Sequence, residues 1–305
     1  MFGARQRKAT GIQIADRALH IVELCRQRGE VSLTGLVQEA LPFACTPARL
    51  AGDERAEIAR FLRRVGKERG LSFANPGMAL GAHGYLLKRR PWIRGSEDLN
   101  REHLIWEVQQ VLPDRLAAYR LDFAKTPQGY FLVAARKKAL ALYQALCRQG
   151  GVKGPLFDIG PFALYNALEA SGSLAGEEAE LLVDISPAEA LVLLLNAGEL
   201  QAVGTCAWGE AETPQVRREQ LAERVGQVVG TESPRRPGRI WLSGPGAADP
   251  EWGACLSAST AIPIALFDPL AEVDLSPMGE EVSPAARAAC AVAAGLAFRC
   301  LSEGD

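Results

Sequence analysis

Asp184, Ser243, Gly244 and Gly246 are the residues whose types and setting best suit phosphate chemistry. Asp184 stands near the end of an apolar run, 181–185, where a carboxylate could hold a metal ion or its waters. Ser243 adds a hydroxyl, and the Gly-Pro-Gly turn after it could lie flat against a base or ribose. Two strand-turn-strand segments frame this chemistry, 10–24 (TGIQIADRALHIVEL) and 181–195 (LLVDISPAEALVLLL). A phosphate cradle needs turn N–H groups close to the oxygens, so glycine is favoured there. The first turn contains none, and in the second Pro187 removes a donor. The residues therefore describe a residual nucleotide site at Asp184, Ser243, Gly244 and Gly246. They offer no catalytic set and no metal-ligand set.

Other candidate chemistry is sparse. His20, His83 and His103 are isolated from one another and from any nucleophile motif. The seven cysteines form no CxxC or Cys/His pair, which fits reduced thiols in a cytosolic protein. A net charge of −2 argues against a nucleic-acid partner. With 48% hydrophobic and 23% charged residues over 305 positions, the chain can build two ordinary cores. The most apolar helix candidate, 284–301, carries Arg287 and Arg299 with eleven residues between them, short of the ~20 that span a bilayer. Its small residues suit a helix packed close against a sheet.

Several elements must position the candidate residues. A strand at 30–39 extends the opening sheet. An amphipathic helix at 53–69 points Ala56, Ile58, Phe61, Leu62 and Val65 inward, capped by Asp53 and stopped by Gly70. A second helix, 97–112, opens at Ser96 and ends at Pro113, with Leu104, Val108, Val111 and Leu112 as its stripe. Strands at 119–123 and 130–135 pair, and helices follow at 137–148 and 162–171. The polar linker 171–178 separates the halves. One helix, 215–229, fits before the turn at 233–238.

At these residues the chain resembles PilM, the cytoplasmic actin-like family of the type IV pilus inner-membrane platform. The most specific match is 158–168 (DIGPFALYNAL). Weaker ones follow in the same order: Glu23-Leu24, 105–113, Asp122-Phe123, the hairpin at 184–190, the loop at 242–247, 263–269 and 293–299. The departures fall in the turns. The family's first-hairpin Asp, Gly, Ser and Lys correspond to Gln13, Ala15, Asp16 and His20, and the Gly and Thr of its second correspond to Ser186 and Ala190.

The resemblance implies a two-lobed actin-like (RNase H-like) α/β fold. The first lobe spans 1–172 with an inserted subdomain at about 76–160. The second spans 173–305 with a shortened helical insert at about 209–238. It implies a cytoplasmic scaffold, peripheral at the inner membrane, that holds the N-terminal tail of a PilN-like membrane protein. Other platform proteins and the motor ATPase are further implied partners. The groove is expected within 78–162, with Tyr85, Trp106, Tyr130 and Arg136 as anchors. ATP with Mg²⁺ is the cofactor of the family, and the altered turns argue for a pseudo-ATPase without it. An ATP-binding actin-like ATPase and the cytoplasmic part of a type II secretion L-like protein are the alternative readings.

Overall fold

The computed structural model describes residues 6–15, 17–41, 43–92, 95–127, 129–173, 178–209, 211–232 and 235–302. The first half begins with a meander, β1 (Arg7–Ala15), β2 (Ala18–Gln27) and β3 (Glu30–Ala40), followed by α1 (Pro47–Ala51) and α2 (Glu54–Glu68). β4 (Pro76–Leu80) then enters the sheet beside β1. Next come β5 (Tyr85–Pro91), α3 (Glu97–Val111), β6 (Tyr119–Thr126) and β7 (Gly129–Arg136), and then α4 (Lys137–Gly150), β8 (Leu156–Ile159) and α5 (Gly160–Ala170).

The second half repeats the plan with β9 (Ala179–Ile185), β10 (Glu189–Asn196), β11 (Glu199–Ala207), α6 (Pro214–Glu232), β12 (Arg239–Ser243), α7 (Pro250–Thr260) and β13 (Ile264–Leu266). α8 (Pro284–Ala289) and α9 (Ala291–Ser302) follow.

The two large sheets share one strand order. The first reads β3-β2-β1-β4-β8, and the second reads β11-β10-β9-β12-β13. In each, antiparallel hairpins supply three strands and parallel crossovers supply two. Six consecutive residues of β10 are buried, as a strand covered on both faces requires.

The halves exchange helices. α5, from the first half, packs its Ala163, Leu164 and Leu168 against the Leu191, Leu193 and Leu195 face of β10. α9 crosses back onto β1, β2 and β4. Its alanine-rich composition explains how: a Cβ added at Gly295 would run into the Ala163 carbonyl, and one at Gly11 into the Ala293 carbonyl. Only backbone approaching backbone fits there.

The excursion between β4 and α4 forms a separate three-stranded sheet, β5-β7-β6. β4 and β8 themselves belong to the first large sheet, so this excursion is narrower than 76–160. One face of the small sheet packs on α3 through Tyr130, Leu132 and Ala134. The other sends Phe131 into the core between the lobes, edge-on to Phe162 at 5.8 Å. In the second lobe the segment 209–238 carries α6, which lies on β10 and β11. Of the linker at 171–178, residues 174–177 lie outside the described residues.

Local expectations shift in two places. Thr46 caps α1, whose end runs into α2, so Asp53 is itself helical and makes no capping bond. Ala59, not Ala56, joins Ile58, Leu62 and Val65 inside. In α3 the buried stripe is Asn100, Leu104 and Val108 at i, i+4 spacing, and Val111 is 53% exposed.

Candidate functional site

The fold brings Asp184, Ser243, Gly244 and Gly246 together. β9 and β12 run parallel with Ser243 beside Asp184, and the Ser243 hydroxyl donates to Asp184 Oδ1 at 2.9 Å. Both side chains are buried. Desolvation pushes the Asp184 carboxyl up to about 6, with the Ser243 hydrogen bond opposing it and the nearby Glu189 adding to it. Gly244 has φ 82°, and its N–H donates to the Ala288 carbonyl at 3.0 Å. A Cβ on Gly244 would lie 2.5 Å from the Ile185 carbonyl oxygen, and one on Gly246 would meet the Ile185 side chain. These glycines let the loop settle on the end of β9.

The turn after β9 spends its polar groups on itself. The Ser186 N–H donates to the Glu189 carbonyl at 2.9 Å, and the Glu189 N–H donates to Ser186 Oγ at 3.2 Å. The Pro187 carbonyl accepts from Trp208 Nε1 at 2.9 Å and from Arg217 Nη1 at 3.1 Å. Trp208 in turn stacks on Trp252 with centroids 5.5 Å apart. At the first hairpin, His20 stands where the resemblance places a lysine. It is buried with Nδ1 3.2 Å from Gln13 Oε1, and burial pulls its pKa down to about 4. The ring is thus neutral near pH 7 and supplies no charge to a phosphate. Asp16 lies outside the described residues. Among the described residues, no three His, Cys, Asp or Glu side chains converge as a metal site.

A second feature lies within the expected region. A cleft of about 420 Å³ opens where β6 of the small sheet and β8 of the first large sheet come together. Among the described residues, each of these strands has a neighbour on one side only. Val133, Ala135, Leu140, Phe157 and Phe162 supply an apolar wall. Asp158, 7% exposed, ion-pairs with Arg299, which reaches the cleft from α9. Arg120 and Asp122 stand on β6 along the same lining.

The four expected anchors do not line this cleft and do not converge. Tyr85 begins β5 and packs against the first core, where burial raises its hydroxyl pKa. Trp106 points outward from α3 at 60% exposure. Tyr130 is buried on the α3 face of the small sheet, 4.5 Å from Trp92. Arg136 lies over the Tyr119 ring and 3.6 Å from Asp114. Val133 and Ala135, the neighbours in sequence that sit on the opposite face, line the cleft instead. β7 is apolar on both faces, so the sequence carried no signal that separates them from Tyr130. Asp158 and Phe162 lie in the segment that carried the resemblance most strongly.

In comparisons with solved structures, the chain is similar over nearly its whole length to a PilM–PilN type IV pilus biogenesis complex. The identity is 19%, the cover 96% of this chain and 98% of that one, and the TM-score 0.76. A Bacteroides thetaiotaomicron protein of unknown function with an actin-like ATPase fold matches at 11% identity, covering 90% and 94%, with a TM-score of 0.53. The ethanolamine utilization protein EutJ from Carboxydothermus hydrogenoformans matches at 10%, covering 96% and 89%, with a TM-score of 0.53. No protein-family model matches the chain, and no curated protein matches it in sequence. At these identities the likeness establishes the fold, and the chain is a two-lobed actin-like α/β protein. Among the described residues no helix is long and apolar enough to cross a membrane.

Proposed function

We propose that this chain is a non-catalytic scaffold of a type IV pilus or related inner-membrane assembly platform. In this reading it holds the cytoplasmic N-terminal tail of a PilN-like membrane protein in the cleft between β6 and β8. One observation carries it: two strands that each have an open side among the described residues line one cleft with an apolar wall. An extended peptide laid there gains main-chain hydrogen bonds from a strand edge and side-chain selection from the wall. The similar solved structure, a PilM–PilN complex, supports the choice of partner.

A magnesium–triphosphate does not fit the turns as they stand. The Ser186 and Glu189 N–H groups are committed within their own turn, and that of Gly244 to Ala288. The Asp184 carboxyl is buried against Ser243. The lobes are also tied together by helix exchange and by Phe131. The protein would act by recognition, at the cytoplasmic face, with other platform proteins and the motor ATPase as further partners.

The test is an anisotropy titration of a labelled PilN-like N-terminal tail against the wild type and Val133→Arg. Binding to the wild type and a loss of at least tenfold in the variant, with an unchanged melting temperature, is the expected result. Saturable Mg-ATP binding that disappears in Asp184→Ala would overturn the non-catalytic part. Equal tail binding by both proteins would remove the tail from this cleft.

A further inference from the structure

The wall of the cleft also selects the chemistry of its occupant, an inference that rests on the peptide-binding reading above. Along β6, Arg120, Asp122 and Ala124 share one face and line the cleft, and Phe123 between them touches it too. Their partners on β7 are Ala135, Val133 and Phe131. Among the described residues β6 has no strand on its other side. A segment added there would place alternate side chains directly opposite Arg120, Asp122 and Ala124, at the short distance where opposite charges attract and like charges repel.

Charge bookkeeping around the cleft singles out these two residues. Of the four charged residues that line it, Asp158 and Arg299 pair with each other. Arg120 and Asp122 are exposed, and neither forms an ion pair among the described residues. Asp122 uses Oδ1 only to accept the Phe123 N–H, which leaves its charge unneutralised. Ala124 and Ala135 are small, so the wall leaves volume beside them for a bulky side chain.

We propose that the cleft selects an extended partner segment with three inward side chains at two-residue spacing: an acid opposite Arg120, a base opposite Asp122 and a branched aliphatic opposite Ala124. The central base is common to parallel and antiparallel addition, which reverse the order of the other two. Complementary rim charges set register and exclude wrong partners more than they add raw affinity.

The experiment uses three labelled decapeptides, each made in both chain directions. One carries the acid, base and leucine; one has acid and base exchanged; one has alanine at both charged positions. Wild type should bind the first at least tenfold tighter than the exchanged peptide. The double variant Arg120→Glu/Asp122→Arg should invert that preference, and the near-isosteric Asp122→Asn should reduce it to threefold or less without altering the melt. Equal affinity for all three peptides, alanine form included, overturns the charge selection while keeping the cleft a peptide site. Failure of the wild type to bind any of them, or the PilN-like tail, overturns both readings.

Discussion

Glu23 in the first lobe and Asp184 in the second are both buried acids on the hairpin of a five-stranded sheet, and their surroundings are opposite. Burial pushes the Glu23 pKa up, but hydrogen bonds from Ser72 and Lys8 pull it further down, below the ordinary range. The Ser72 N–H donates at 2.7 Å, Lys8 at 3.0 Å and the Thr34 hydroxyl at 3.1 Å. Asp184 has the Ser243 hydroxyl, and it titrates at about 6. The first carboxylate is a structural tie between β1, β2, β3 and the loop after α2. The second is a charge that the fold holds at a cost, beside the loop that carries Gly244 and Gly246. The contrast teaches that burial alone does not set a carboxyl's pKa: the number of donors around it does.

The comparison can be broken most forcefully at the joint between the lobes. Gly295→Val forces α9 off α5, so unfolding in urea should show a loss of about 3 kcal/mol or more. A wild-type midpoint would mean that the helices can part and the lobes are independent. Glu23→Gln removes acceptor capacity from several donors at once and should cost about 2 kcal/mol by the same measurement. The wild-type contribution is complete above the unfolded value of 4.5 and is lost as pH falls through the lower folded value.

Asp184 carries the opposite sign. Its folded pKa of about 6 exceeds the reference 3.8, so its contribution is fully present below 3.8 and is lost as pH rises through about 6. Asp184→Asn should therefore stabilise the protein at pH 7.5 by on the order of 1–3 kcal/mol and flatten that slope in a melting series. A destabilised variant would place Asp184 with Glu23 as a structural tie. Trp106→Ala should be the mildest change, within about 0.5 kcal/mol and with tail binding intact, since the side chain is 60% exposed and away from the cleft.

The two hairpins were legible because each is written as two apolar runs around a short polar turn, and the pattern occurs twice. The lining of the cleft falls within 78–162, the stretch in which a groove was expected, apart from Arg299. Its individual residues were not legible. β7 is apolar on both faces, so no pattern within it shows that Tyr130 faces α3 while Val133 faces the cleft. Trp106 reads as an anchor by residue type, and only the rotation of α3 turns it outward. Arg299 meets Asp158 from 141 positions away, a pairing that local spacing cannot reveal.

The crossing of α9 onto the first sheet has a consequence for biosynthesis. Arg7 Nη2 donates to the Cys300 carbonyl, 293 positions downstream. One face of the opening meander therefore stays uncovered until α9, 293 positions downstream, has emerged from the ribosome. Nascent chains that lack that helix would present the apolar face of Ala9, Val22 and Leu24 to solvent.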